Sequence, residues 1–101
     1  MSLDDLRESL TKRLGATPPL GYKVTLDLGD DGQLHLDGTD GPTKVLDAMD
    51  GEADTVMTTS LETMQKIVSG DTDPNMAVLM GKLKISGKMG VALKLASYLE
   101  S

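Results

Sequence analysis

Apolar side chains recur along the chain at two spacings, and these distinguish helices from strands. Spacings of three and four residues, as for Leu3, Leu6, Leu10 and Leu14, predict an amphipathic helix. Strict alternation of apolar and polar residues predicts a half-buried strand. The pattern therefore predicts, in chain order, a helix at residues 3–14 and four strands at 22–28, 33–37, 43–49 and 53–59. Two helices at 61–69 and 74–80, a strand at 82–86 and a closing helix after Gly87 follow.

Polar residues at the predicted helix starts support this division. Ser2 and Asp5 have the spacing of a capping box, Ser60 is placed to cap the second helix, and Asp73-Pro74 is a typical helix start. The length predicts one domain over residues 1–101, and the order of elements predicts the α/β (α+β) class. We expect a mixed five-stranded sheet with helices on one face.

The closing helix is apolar over more of its circumference than the stripe of about 100° typical of a surface helix. Its polar residues are few, whereas Met89, Leu93 and Leu95 belong to its apolar majority. Such a helix is either deeply buried, or it faces an apolar ligand as well as a core.

Composition excludes several functional classes. The 101 residues contain no cysteine, which excludes disulfides and zinc–thiolate sites, and the net charge of −6 disfavours nucleic acid as a partner. No apolar run approaches the roughly 20 residues of a membrane span, so a soluble, cytoplasmic protein is expected. Residues 80–101 nevertheless contain four lysines and one glutamate. This is either a solvated lysine face or a surface weakly attracted to anionic lipid.

The apolar residues available for the predicted core include many methionines and very few aromatic residues. Aromatic residues make up 2% of the chain, whereas seven residues are methionine. Methionine is flexible and polarisable, so the sequence is compatible with an aliphatic core or with an adaptable cavity.

Catalytic and metal-binding motifs are poorly matched. His35 is the only histidine and lies on the polar side of a predicted strand, where its neighbours Leu34 and Leu36 point the other way, as expected for a surface histidine. The aspartates of residues 27–40 lack the ligand spacing of a calcium loop and are typical of acidic turns. Residues 81–89 resemble a phosphate loop, but the glycine spacing is wrong and Met89 stands where a hydroxyl is needed. We therefore expect no enzyme activity, no metal and no cofactor.

Residues 53–95 contain the most specific pattern in the chain. Gly81-Lys-Leu-Lys-Ile-Ser-Gly87 is followed by Met89-Gly90 and by Leu93-Lys94-Leu95. This pattern is similar to the sterol carrier protein type 2 family, and the similarity extends over about residues 22–99. The resemblance implies a sheet and helices that enclose an apolar tunnel. It also implies binding of fatty acid, fatty acyl-CoA, phospholipid or sterol, with transfer between membranes in some members.

The predicted function is therefore non-enzymatic binding of a hydrophobic ligand, which the protein either stores or transfers between membranes. Leu28, Met57 and Met64 stand where the family often has aromatic residues, which favours a linear acyl chain over a sterol. The predicted lining combines two helices, a strand, the closing helix and a back wall from the sheet: Leu61, Met64, Ile67, Val68, Met76, Leu79, Met80, Leu83, Ile85, Met89, Leu93, Leu95, Val24, Leu26 and Leu28. The candidate headgroup contacts are Lys82, Lys84 and Lys88.

An interaction module is the alternative from another class. In that case the apolar closing helix docks on a partner or a second copy, as an accessory subunit of quinone or lipid metabolism would. The lipid-binding hypothesis instead predicts a monomer or weak dimer that makes transient contact with membranes.

Overall fold

The computed structural model describes residues 2–100 without the side chain of Glu100, so the predicted domain of residues 1–101 extends beyond the described residues at both ends. The described part contains the helices and strands in the predicted order. They are α1 (Leu3–Gly15), β1 (Lys23–Asp27), β2 (Gln33–Asp37), β3 (Lys44–Leu46), β4 (Thr55–Thr58), α2 (Leu61–Ser69), α3 (Pro74–Leu79), β5 (Lys84–Gly87) and α4 (Met89–Glu100), with a 3₁₀ turn at Gly29–Asp31.

The predicted helix caps are confirmed. The Ser2 hydroxyl accepts a hydrogen bond from the Asp5 amide, and the Asp5 carboxylate accepts one from the Ser2 amide. The Ser60 hydroxyl accepts from the Thr63 amide at the start of α2. These contacts satisfy amides that have no partner within the first turn of a helix, so they determine where each helix begins. None of the helices in residues 2–100 has the length and apolarity that a bilayer crossing requires.

The five strands form one mixed sheet in the order β3-β2-β1-β4-β5, as the sequence predicted in outline. The β1–β4 pair is parallel, and the other neighbours are antiparallel. In this register Leu34, Leu26 and Met57 are directly paired across three strands and are all buried. They share one core with apolar residues of α1, α2 and α4, so these helices cover one face of the sheet.

Arg13 of α1 connects the ends of two other helices. Its guanidinium donates hydrogen bonds to the carbonyl oxygen of Val68 in α2 at 2.7 Å and to that of Leu99 in α4 at 3.0 Å. Carbonyls in the last turn of a helix have no partner within the helix, so a cation placed there satisfies them and favours the dipole. The α1 helix therefore positions α2 and α4 relative to each other.

Polar contacts occupy the other face of the sheet and the hairpin turns. His35 Nδ1 lies 2.9 Å from the Thr25 hydroxyl, on the face opposite the core. Asp37 Oδ1 accepts hydrogen bonds from the hydroxyl and the amide of Thr39, and these bonds hold the pKa of the Asp37 carboxyl below its ordinary value. The acidic residues at this turn thus stabilise the turn itself.

Several predicted boundaries were wrong by up to three residues. The strand predicted at 82–86 begins at Lys84, because the amides of Lys82 and Leu83 both donate to the Ala77 carbonyl and continue the turn that ends α3. The β1 strand stops before Leu28, whose amide bonds to the Gly32 carbonyl across the 3₁₀ turn. The strands predicted at 43–49 and 53–59 and the helix predicted at 74–80 are likewise shorter, at 44–46, 55–58 and 74–79.

Candidate ligand-binding groove

An apolar groove of about 290 Å³ lies between α3, β5 and α4. Its floor is formed by β4 and β5, and its walls by the two helices. Ten of its eleven lining residues are apolar, and the exception is Asn75 at the start of α3. The complete lining is Met57, Pro74, Asn75, Val78, Leu79, Leu83, Ile85, Met89, Ala92, Leu93 and Ala96.

Two other concavities are of similar size but differ in chemistry. A cleft of about 380 Å³ between α1 and α2 is lined by charged and polar side chains that include Asp5, Lys12 and Arg13. A third, of about 400 Å³, lies against the polar face of the sheet beside Lys23 and Asp37. Ligand sites for apolar molecules are mostly apolar with few polar groups, so the smaller groove is the better candidate.

Hydrogen bonds at both ends of β5 hold the floor of the groove in place. The Thr59 hydroxyl donates to the Lys82 carbonyl at 2.7 Å, and the Thr55 hydroxyl donates to the Lys88 carbonyl at 2.6 Å. Both threonines belong to β4 or its end and are buried. Strand β5 and the start of α4 are therefore fixed to the centre of the sheet.

Gly87 is required where β5 turns into α4. Its φ is +98°, a conformation that residues with a Cβ rarely adopt, and an added Cβ would lie 2.5 Å from the Asp54 carbonyl oxygen. The amide of Lys88 donates to that same carbonyl at 3.0 Å. This close approach fixes the point at which the chain leaves β5 and enters α4, whose first residue, Met89, lines the groove.

The α4 helix has two apolar sides with different roles. Val91, Leu95 and Leu99 are buried against the core. The groove side instead has Met89 and Leu93, both about half exposed, next to the small residues Ala92 and Ala96. The unusually wide apolar surface predicted for this helix thus comprises a core side and a groove side.

The predicted lining residues fall into three groups in the structure. Five of them come together in the groove: Leu79, Leu83, Ile85, Met89 and Leu93. Eight are packed in the core and do not line it: Leu61, Met64, Ile67, Val68, Leu95, Val24, Leu26 and Leu28. The other two, Met76 and Met80, are exposed on α3 and its C-terminal cap and lie outside the lining.

The sequence interpretation missed several wall residues. Val78, Ala92 and Ala96 were not singled out, although the four-residue spacing of the two alanines indicates a narrow strip of helix that leaves space for a ligand. Met57 was noted only as a replacement for an aromatic residue.

The three candidate headgroup lysines are exposed, and none belongs to the groove lining. Lys82 lies in the turn before β5, and Lys88 precedes α4. Lys84 is the first residue of β5, and because side chains alternate along a strand it lies on the face of the sheet opposite Ile85 and the groove. Lys88 Nζ lies 3.8 Å from an Asp54 carboxylate oxygen and 5.9 Å from the centre of the Tyr22 ring. His35 lies on the opposite face of the sheet, so it does not contribute to the groove.

The model of the SCP-2 sterol transfer family matches residues 3–100. The chain belongs to this family. Sterol carrier protein 2 of Bos taurus is 32% identical over 94 residues, which are 92% of this chain and 17% of that protein. Hydroxysteroid dehydrogenase-like protein 2 of Bos taurus is 39% identical over 74 residues, which are 62% of this chain and 18% of that protein. The chain thus spans less than a fifth of these curated relatives.

A solved structure extends the similarity to the whole fold. The solution structure of palmitated SCP2L2 from Aedes aegypti has a TM-score of 0.77 and 26% identity to this chain, with 100% of this chain and 96% of that one covered. The match to the dehydrogenase-like protein covers only 18% of that protein, so its name gives no evidence of enzyme activity in this chain.

Proposed function

We propose that this chain is a single lipid-binding domain that holds one linear acyl chain in the groove between α3, β5 and α4. Family membership implies lipid binding or transfer in general. The observation that supports the more specific proposal is the nearly complete apolar lining of the groove. The related Aedes aegypti protein in palmitated form is consistent with the same ligand class.

The groove volume favours a linear chain over a sterol. A volume of about 290 Å³ accommodates roughly ten methylene groups, if each needs about the 30 Å³ that a water molecule occupies. A fatty acid of ordinary length would place its terminal part in the groove and its remaining carbons at the open side. A sterol has more than twice as many carbons, held in a rigid ring system, and would not fit without rearrangement.

The expected affinity follows from the same count. Ten buried methylenes at ~0.8 kcal/mol each contribute about 8 kcal/mol of gross binding free energy. Lost translational and rotational freedom opposes this, by at least about 4 kcal/mol. A contact of the carboxylate or phosphate with the exposed Lys82 would contribute in the favourable direction. We therefore propose reversible binding without a chemical step, as a carrier requires. We also propose a cytoplasmic location.

Native mass spectrometry of the freshly purified protein tests the proposal. We expect a bound mass that organic extraction identifies as fatty acid or phospholipid, or an empty protein that takes up one added palmitate. Cholesterol at the same concentration serves as the matched ligand control and should bind more weakly. An empty protein that takes up neither palmitate nor palmitoyl-CoA would refute lipid binding. Sedimentation at several concentrations would then test the interaction module, which predicts self-association or a protein partner.

A further inference from the structure

The methionines of this chain differ sharply in their access to solvent. Met57 and Met64 are buried, whereas Met76, Met80 and Met89 are at least half exposed. The chain contains no cysteine, so the methionine thioethers are its only sulfur groups. The exposed thioethers are therefore the positions that a dissolved peroxide would oxidise first, because oxidation depends on access to the sulfur.

Of the exposed methionines in residues 2–100, only Met89 belongs to the groove lining. Its side chain is 51% exposed, so it forms part of the apolar wall and is open to solvent at the same time. The backbone beside it is held in place, because the Lys88 amide donates to the Asp54 carbonyl and the Lys88 carbonyl accepts from the Thr55 hydroxyl. Met57 also lines the groove but is buried in its floor. An oxidant that reaches the groove from solvent thus meets the thioether of Met89.

We propose that Met89 is an oxidation site through which a peroxide lowers the affinity of the groove for an acyl chain. The sulfur attacks one oxygen of hydrogen peroxide, the O–O bond breaks, and the other oxygen leaves as water after proton transfer. The sulfur is oxidised by two electrons to the sulfoxide, and the peroxide is reduced by the same two electrons. The inference rests on the proposed function, because it concerns the occupancy of the same groove.

The sulfoxide changes the chemistry of the wall at a place that a bound ligand would cover. A thioether is apolar, whereas a sulfoxide has a polar oxygen that accepts hydrogen bonds from water. An acyl chain over that oxygen would displace the water and offer no donor in its place, which opposes binding. Among the lining side chains only Asn75 has a hydrogen-bond donor, and it belongs to the opposite wall. Because the sulfoxide stays partly exposed, we expect palmitate affinity to fall by roughly tenfold.

The coupling also acts in the opposite direction, because a bound acyl chain would cover the accessible part of the lining. Palmitate at about ten times its dissociation constant leaves only about one tenth of the protein empty. Oxidation of Met89 should therefore become slower by up to about tenfold when palmitate is present. Met76 provides a matched comparison, since it is 50% exposed on α3 but lies outside the lining. Its oxidation should not depend on palmitate.

Peroxide oxidation followed by peptide mass spectrometry tests this protection. The full chain is treated with hydrogen peroxide, with and without palmitate, and the sulfoxide at each methionine is followed over time. Trypsin releases peptide 89–94, which contains Met89 and no other methionine, and fragmentation of peptide 67–82 locates the oxygen at Met76. We expect palmitate to slow the oxidation of Met89 and to leave that of Met76 unchanged. Equal rates at Met89 with and without palmitate, or equal slowing at both residues, would overturn the proposal.

Variants separate the effect of Met89 from that of the other methionines. M89L has an apolar side chain that peroxide does not oxidise, and the palmitate affinity of each variant is compared before and after peroxide treatment. Treatment should weaken binding by roughly tenfold in the unmodified chain and in M76L/M80L, but by less than about twofold in M89L. Methionine sulfoxide reductases specific for the two sulfoxide epimers should then restore the affinity of the treated chain. An equal loss in M89L, or a loss that the reductases do not reverse, contradicts the proposed site.

The two proposals fail in different ways. If the untreated chain takes up no palmitate, the groove function is wrong and the coupling fails with it. If palmitate binds, but peroxide weakens binding equally in M89L and in the unmodified chain, the groove function stands and only the oxidation site is wrong. The untreated sample in each series therefore tests the groove, and the comparison with M89L tests the site.

Discussion

Ala96 offers the most direct way to test the groove, because its methyl group forms part of the wall at a point where a larger side chain would enter the empty space. The residue is 8% exposed and lies on the groove side of α4. The variant A96F places a phenyl ring there. Since an engineered cavity of about 150 Å³ holds one benzene, the ring would fill roughly half of the groove.

The expected loss of affinity follows from the displaced part of the acyl chain. Half of the groove corresponds to roughly five methylenes, or about 4 kcal/mol at ~0.8 kcal/mol each. The groove is open along one side, so the chain can slide outward and retain about half of that contact. A net loss of about 2 kcal/mol then raises the dissociation constant for palmitate by about 30-fold.

Displacement of a fluorescent fatty acid measures this change, and S97F is the matched control. Ser97 is the next residue on the same helix but is exposed, so its phenyl ring would face solvent. The thermal midpoint of A96F should be equal to or above that of the unmodified chain, because the ring covers apolar surface of the groove. Unchanged palmitate affinity in A96F, or equal losses in both variants, would refute the groove as the acyl-chain site.

Three further predictions concern the residues that position the groove and the sheet. R13M removes the donor to two helix-end carbonyls and should lower the free energy of unfolding by about 2–3 kcal/mol in urea titration, whereas intact stability would contradict its role. G87A should destabilise the protein by more than about 2 kcal/mol, because the added methyl group would contact the Asp54 carbonyl. In G90A the methyl group meets open space on the exposed side of α4, so this variant should stabilise the protein by up to about 1 kcal/mol. Thermal unfolding of both variants tests the pair. T39A should raise the pKa of Asp37 toward its ordinary value in a carbon-13 NMR titration. Because the pKa of Asp37 is lower in the folded state, its contribution to stability is complete above the unfolded-state pKa and is lost as the pH falls through the folded-state pKa. T39A should therefore make the free energy of unfolding depend less on pH in this acidic range.

Local signals predicted the elements well, because each depends on residues close in sequence. The bounds of α2 agree with the prediction, since its Ser60 cap and Gly70 terminator act within one turn. The start of β5 could not be predicted in the same way. It depends on the Ala77 carbonyl, which accepts two amides from residues 82 and 83 across the end of α3. That contact is a property of the folded turn and leaves no alternation pattern.

The structure brings only some of the predicted lining residues together in one groove, because sequence spacing determines which residues share a side of a helix but not what that side faces. Leu93 and Leu95 are two residues apart and therefore lie on opposite sides of α4. The first lines the groove and the second is buried in the core, and only the packing of α1 and α2 decides between them. The same packing places Val24, Leu26 and Met64 in the interior, where they support the floor without reaching the groove.

The position of the groove follows from the short length of α3, the helix that covers the β5 edge of the sheet. The α3 helix has only six residues and ends at Leu79, and the positive φ of Gly81 then turns the chain toward β5, which begins at Lys84. So short a helix cannot cover both the edge strand and the groove side of α4, and apolar side chains of all three elements stay open to solvent. Exposed apolar surface of this kind has a cost in solubility and marks binding sites in stable proteins.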